Sequence, residues 1–524
     1  MKLFAYDPNR GCYIVAQDPD PVSLYQIRQA CEYLYKLALP FSEEQLAKAL
    51  LNFLEVDAEV LDTGDYDEKF VDAMRKNFET FYPTCARLTL SDIAREAHPG
   101  NGTFSEPGER FWERNAIEPT VPSEMKDFRF GLRFNKSAPN PKLCFTDPDY
   151  SQVLFVPKDS RGPRTIVREP YSKLMFQMGF NSSMASALEK DTRHRVNFKD
   201  QTINQGLVHK SSIDRTYATI DLKDASDRVS YPIASHLFRH TPLRTIFTRL
   251  RSRFCQLPNK ELHRLKKLAG MGSGFTFPTM SLVIHLAICT HVSKRLGIPY
   301  STCMRKCFVY GDDIIVPTHW VSFVIVALNK VGLVVNKDKS FYRSKFRESC
   351  GCDFYNGNDV TPVRLKMQNS QPKLQGLTLS FGSRDFAAYA LDRHARQLDS
   401  HQLYKLRDYI YSVLESSLGK LPYVVFDSPI IGRVADRDTV FSTLKTDDTG
   451  AYVKERLWQP TSIDAHVKNM CPYRYLLRRF SKVGNQRNWY EDLFPLGRSS
   501  SFGSVTVPRK LKLRKVKTSS FKRT

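Results

Sequence analysis

Residues 307–317, CFVYGDDIIVP, set two apolar runs on either side of Gly311, Asp312 and Asp313. Gly-Asp suits a tight turn, and β-branched Val309, Ile314, Ile315 and Val316 suit strands, so the spacing predicts a β-hairpin with both acids at its tip. Adjacent carboxylates are costly to bury as charges. They are solvated, paired with cations, or holding hard ions such as Mg²⁺, which takes oxygen ligands. On these three residues alone a solvated surface turn remains the plain alternative.

Residues 219–230, TIDLKDASDRVS, change the balance. Ile220 and Leu222 flank Asp221 on a strand-like segment that then turns, so a strand beside the hairpin would carry a third carboxylate to the same tip. Two Mg²⁺ ions held by such a set can activate an attacking hydroxyl and steady a leaving oxygen in phosphoryl transfer. Asp221 and Asp312 are the expected bridging ligands, with Asp313 an outer or occasional one.

DQTINQ at 200–205, IDLKDASD at 220–227, MGSGFTF at 271–277, YGDD at 310–313, FRESCG at 346–351 and DVTP at 359–362 follow one another in that order. In sequence and spacing they resemble the right-hand-fold RNA-dependent RNA polymerases, and within those the replicase catalytic subunits of single-stranded RNA bacteriophages. The resemblance covers about residues 150 to 365. It implies an α+β right-hand polymerase fold: an antiparallel palm sheet, fingers and a mainly helical thumb. The expected division is fingers and N-terminal region at 1–215, palm at 216–365 with inserted fingers near 235–270, thumb at 366–495, and a basic flexible tail at 496–524.

Composition agrees with a polyanionic partner. The chain has 524 residues, 41% hydrophobic, with a net charge of +23 and pI ≈ 9.5; each phosphate met by Lys or Arg releases counterions and adds affinity. The apolar runs at 281–292 and 321–335 are interrupted by His285, His291, Asn329 and Lys330, short of the ~20 apolar residues that span a bilayer. Asp7 and Pro8 precede any apolar leader, so no membrane and a cytoplasmic location are expected. Eleven scattered cysteines fit free thiols. Cys303 with Cys307, and Cys350 with Cys352, lack CxxC spacing and a matching histidine pair, which argues against zinc. His236 and His240 lie four apart with no HExxH glutamate and read as surface histidines.

Along the chain, Ser42 and Gln45 form a capping box before a helix with Leu46, Leu50, Phe53 and Leu54 on one face. Prolines recur through 97–163 and predict extended connections. Residues 156–170, VPKDSRGPRTIVREP, gather Lys158, Arg161, Arg164 and Arg168 around Gly162 and Pro163. Such cations either bind a triphosphate or form a solvated loop; the resemblance implies the former, with Lys158 and Arg164 foremost and Arg168 beside them.

Ser226 and Asp227 both follow Asp221 at short range, and the resemblance favours Asp227 as the reader of a ribose 2′-OH. Gly272 and Gly274 permit close backbone approach to a ligand. By resemblance Gly274 and Ser281 join the template and nucleotide site, and Lys339, in preference to Lys337, is the general acid for pyrophosphate. Residues 321–331 read as a helix ended by Gly332, and Leu403, Leu406, Ile410, Val413 and Leu414 as a thumb helix ended by Gly419. No acid follows Asp492, while Arg509, Lys510, Lys512, Arg514 and Lys515 accumulate as candidate RNA contacts.

The resemblance further implies primer-independent copying of a phage RNA genome from NTPs, two Mg²⁺ ions replaceable by Mn²⁺, and a single-stranded RNA template. It also implies the host elongation factors Tu and Ts and a small-subunit ribosomal protein as partners, in the cytoplasm of an infected bacterium. A reverse transcriptase shares the carboxylates, and a non-catalytic RNA-binding protein shares the charge; both stand as alternatives.

Overall fold

A computed structural model of the chain describes residues 18–37, 39–98, 104–105, 150–365, 384–428 and 430–443. It adds the short strands Phe4–Asp7, Cys12–Val15, Thr120–Pro122, Cys144–Thr146, Glu455–Pro460 and Leu511–Val516. The architecture is α+β, and the chain divides into two compact units, Met1–Ala30 with Phe41–Pro362, and Cys31–Pro40 with Val363–Thr524. The short segment 31–40 joins the second unit, which no local pattern announces. Fingers and palm do not separate into units of their own.

The first unit is built on the helix Thr276–Leu296, buried without interruption from Pro278 to Val292. It is long and apolar enough to cross a membrane, contrary to the reading of its histidines as interruptions. Yet 89% of its apolar window is buried inside the protein, as the core helix of a globular unit. His285 and His291 are tolerated there because both are buried against other side chains rather than exposed to lipid or water.

Against this helix lies an antiparallel sheet in the order Phe308–Tyr310, Asp313–Pro317, Tyr217–Ile220. Side chains alternate between faces. Val309, Ile314, Val316, Ala218 and Ile220 join the large core of the central helix. Phe308, Ile315 and Tyr217 meet Val208, Ile203 and Leu207 of the helix Thr202–Asp214. Both faces are covered, which explains why the hairpin reads as unbroken apolar runs.

A second sheet runs Leu262–Arg264, Phe254–Gln256, Tyr150–Asp159, Gly162–Arg168. The expected insertion near 235–270 therefore supplies two strands that extend the 150–168 hairpin. The capping box forms as the sequence predicts: Ser42 Oγ accepts from Gln45 N–H and Gln45 Oε1 from Ser42 N–H, opening the helix Glu43–Ala58. The helices Val321–Asn329 and Tyr404–Leu418 also lie where the periodicity places them, the latter stopped by Gly419 at φ +83°.

Two local readings change. His236 is not a surface residue: Nε2 lies 3.0 Å from Asp72 Oδ1 and Nδ1 3.2 Å from the Tyr66 hydroxyl, tying its helix to Glu68–Phe81. Within the tail expected to stay mobile, Leu511–Val516 pairs antiparallel with Glu455–Pro460. The alternation Leu511, Lys512, Leu513, Arg514 has the period of a strand, a signal that net charge concealed. Arg509 and Lys510 lie outside the described residues, and for Lys512, Arg514 and Lys515 the backbone alone is described.

Candidate active site

Tyr310 pairs with Asp313, leaving Gly311 and Asp312 as a two-residue hairpin turn. Gly311 has φ +66°, which no β-branched or bulky residue adopts at ease, and Asp312 is outside the positive region, the pattern of a II′ turn. A Cβ at Gly311 would stand 2.4 Å from the Phe277 ring, so glycine is required by space as well as by conformation. On the neighbouring strand Ile220 pairs with Ile314, which puts Asp221, the next residue, at the end where Asp313 begins. Asp221, Asp312 and Asp313 thus share one end of the sheet.

Each acid is held differently. Asn336 Nδ2 donates to Asp221 Oδ2 at 2.9 Å, Asn336 N–H donates to the Asp221 carbonyl at 2.9 Å, and Asp221 N–H donates to Ser340 Oγ at 3.2 Å. Asp313 Oδ2 accepts from Cys350 N–H at 3.2 Å, at the tip of the hairpin formed by Phe346–Ser349 and Cys352–Tyr355. Asp312 is exposed on the turn. Burial, and then the Asp312 charge, push the Asp221 carboxyl up; the same two causes push Asp313 up to about 7. Glu348, on the strand of that second hairpin, is pushed up to about 7 by burial and by Asp353 across the strand pair. It interacts electrostatically with Asp221, Asp313 and Lys339. Asn336 and Glu348 were not singled out from sequence, although Glu348 stands inside FRESCG.

Clustered carboxylates that ionise only against their neighbours fit a hard dication, which supplies the missing charge. Asp221, Asp312 and Asp313 are the residues that would hold it. Binding of a hard divalent cation is therefore expected to displace protons below about pH 7 and to weaken by up to about tenfold per pH unit for each proton displaced. The sign follows from the raised values: below about 7 Asp313 and Glu348 carry protons that the cation must expel, and above it they do not. Titration calorimetry in buffers of different ionisation enthalpy reads this directly; a proton-free, pH-flat binding isotherm would show the acids already ionised.

The cations stand close by. Lys158 is the extra residue of a β-bulge between Pro157 and Asp159, the kind of irregularity that re-aims a side chain. Its ammonium is pushed down by burial and then by Arg164, with Lys339 adding to the effect. Lys339, in the short turn Lys337–Lys339, in turn opposes the upward push on the Asp221 carboxyl. Lys158, Arg164 and Lys339 are therefore one cationic group beside the acids. Arg168 donates to Gln152 Oε1 at 2.8 Å, and Arg161 closes its own turn on Asp159.

Asp227 Oδ1 accepts from Lys267 Nζ at 3.0 Å, and Lys267 is fully buried. This partner, 40 residues away, carries no sequence signal of its own. Burial pushes the Asp227 carboxyl up, and Lys267 opposes it. Lys267 also lies 3.4 Å above the Phe53 ring, while its backbone N–H donates to Asp57 Oδ1.

Ser281 is fully buried, donating to the Phe277 carbonyl at 2.9 Å and lying 3.4 Å from the Gly311 carbonyl, so it braces the acidic turn from beneath. The glycines of MGSGFTF meet protein rather than an open cleft. A Cβ at Gly272 would stand 2.3 Å from the Val167 carbonyl oxygen, and one at Gly274 2.4 Å from that of Gln177. The close approach read from these glycines is thus to the strand Gly162–Arg168 and the helix Tyr171–Asp191.

Residues 135–377 match the family described as RNA replicase, beta-chain. Over 223 residues the chain is 34% identical to the RNA-directed RNA polymerase subunit beta of Qbeta virus (strain MX1), covering 43% of this chain and 36% of that protein. Over 214 residues it is 33% identical to the RNA-directed RNA polymerase beta chain of Escherichia phage MS2, covering 41% and 37%. The matches thus span little more than a third of those relatives' length. Among solved structures, the RNA-dependent RNA polymerase of a human picorbirnavirus aligns at TM-score 0.45 and 10% identity over 76% of this chain and 79% of that one. Asp221, Asp227, Asp312, Asp313 and Glu348, with Lys158, Arg164, Lys267 and Lys339, lie within the matched stretch. The stretch 135–377 is thus similar to the RNA replicase beta-chain family.

Proposed function

We propose that the chain is an RNA-directed RNA polymerase that extends RNA on an RNA template from nucleoside triphosphates, replicating a phage genome by primer-independent initiation. The observation that carries this reading is the meeting of Asp221, Asp312 and Asp313 at one sheet end beside Lys158, Arg164 and Lys339. The growing strand's 3′-oxygen forms a bond to the α-phosphorus, and the bond from that phosphorus to the bridging oxygen of pyrophosphate breaks. Two Mg²⁺ ions, when bound, supply activation of the hydroxyl and neutralisation of the leaving oxygen. Lys158 and Arg164 orient the triphosphate, Lys339 delivers a proton to the departing pyrophosphate, and Asp227 accepts a hydrogen bond from the ribose 2′-OH. By the phage resemblance, elongation factors Tu and Ts and a small-subunit ribosomal protein assist it in the bacterial cytoplasm.

The test is incorporation of NTPs and dNTPs by the purified chain with Mg²⁺ on a single-stranded RNA ending in cytidines, without and with Tu and Ts. The expected result is NTP-dependent product, with dNTPs used far less. Asp227→Ala should narrow that preference by about 10- to 100-fold, the worth of a hydrogen bond to a charged group. Preferred use of dNTPs would point to a reverse transcriptase, and silence under every condition to a non-catalytic RNA-binding protein.

A further inference from the structure

Behind the acidic turn, the central helix presents His285 and Cys289, one helical turn apart, to Cys307, the residue that enters the strand Phe308–Tyr310. All three are fully buried, and their ligating atoms lie within 4.8 Å of one another. Cys289 Sγ is 3.8 Å from His285 Nε2. The other ring nitrogen, Nδ1, is 2.6 Å from the Tyr82 hydroxyl, which is 3.2 Å from the Tyr300 hydroxyl. Cys303, one turn before Cys307 on the helix Tyr300–Lys306, interacts electrostatically with both Cys289 and Cys307.

We propose that His285, Cys289 and Cys307 form a structural site for a soft tetrahedral dication of the zinc class, its fourth position taken by water or by Cys303 from the neighbouring helix. Imidazole and thiolate sulfur are established ligands for that ion. Two ligands come from the central helix and one from the residue that follows the packed helix Tyr300–Lys306, a juxtaposition that spacing within either segment cannot reveal. A metal-bound imidazole is normally fixed through its second nitrogen, and the Tyr82 hydroxyl occupies that position. Burial penalises the Cys289 and Cys303 thiolates, and a bound dication offsets that penalty. In a tetrahedral zinc site the ligating atoms stand about 3.4–3.8 Å apart, so the Cys289 and Cys307 sulfurs need to close by about one ångström at most, within reach of side-chain rotation. The ion would fasten the central helix to the strand that ends at the acidic turn, fixing the height at which the acids stand. Without an ion, the same groups form a hydrogen-bonded thiol and imidazole cluster, in which the ring also meets the carbonyls of Met304 and Cys307.

The experiment uses the full chain, produced in zinc-supplemented medium and freed of loose metal by gel filtration, with metal content measured by mass spectrometry. Its Co²⁺-exchanged form is then examined by visible absorption. The expected result is about one zinc per chain and the intense bands of tetrahedral thiolate coordination. Cys289→Ser and Cys307→Ser should each lose both signals, and Cys31→Ser, at an exposed thiol, should keep them. Zinc far below stoichiometric together with a colourless cobalt form of the unaltered chain would overturn the proposal. So would full metal retention in both cluster variants. The cobalt spectrum is read on the unaltered chain, so misfolding of a variant does not blunt the test.

Discussion

Asp312→Asn is expected to reduce nucleotide incorporation by about 10³-fold or more while RNA affinity stays within about a factor of two. The substitution keeps the shape of the side chain. Asp312 is exposed on a turn whose geometry Gly311 sets, so the fold has no reason to change. What is lost is one anionic oxygen where cations have to be held, worth several kcal/mol of transition-state stabilisation, and each ~1.4 kcal/mol is tenfold in rate. RNA affinity rests on basic side chains spread over a chain of net charge +23 and hardly notices one acid. Asp313→Asn is expected to cost less, because an amide oxygen can still accept the Cys350 N–H. Single-turnover extension alongside filter binding separates the two quantities. Retention of activity within about tenfold in Asp312→Asn would remove Asp312 from the catalytic set and, with it, the proposed chemistry.

Lys267→Met is expected to destabilise the chain by about 3–5 kcal/mol, the cost of stranding a buried charge. Lys267 is fully buried and Asp227 is 16% exposed at the side chain, so water cannot take over the pairing when the ammonium is removed. Methionine keeps the length and the contact with the Phe53 ring but not the charge. Adding Asp227→Asn should recover most of the loss, since the orphaned charge is then gone. The backbone bond from residue 267 to Asp57 is common to all four proteins of the cycle and cancels. Denaturant unfolding measures it. A double variant no more stable than Lys267→Met would mean that the two side chains are not coupled. The pair is also the mount for the proposed ribose reader, so the variant should discriminate poorly against dNTPs even when it folds.

Much of this arrangement was legible before any coordinates. The turn at Gly311, the strand bearing Asp221, the capping box at Ser42 and the helix stops at Gly332 and Gly419 are written in patterns a few residues long. Such patterns act through local backbone preferences, which sequence displays directly. The supports were not legible: Asn336 reaches Asp221 across 115 residues, Lys267 reaches Asp227 across 40, and Glu348 meets the site from a separate hairpin. Their chemistry is ordinary and their position is everything. The glycines of MGSGFTF were visible, but what crowds them was not; contact with Val167 and Gln177 backbone looks the same in sequence as contact with a ligand.

The order of strands in the catalytic sheet carries a consequence for synthesis. The middle strand, Asp313–Pro317, is later in the chain than the edge strand Tyr217–Ile220 that it covers. On the ribosome the first acid therefore emerges on an unpaired strand about a hundred residues ahead of the other two, a delay of about 5–20 s at ordinary rates of translation. During that interval a β-rich edge with Ala218 and Ile220 uncovered is open to wrong pairing, by its own chain or a neighbour's. A nascent chain that stalls before residue 312 holds Asp221 without its two partner acids, so the three meet only once the sheet is finished.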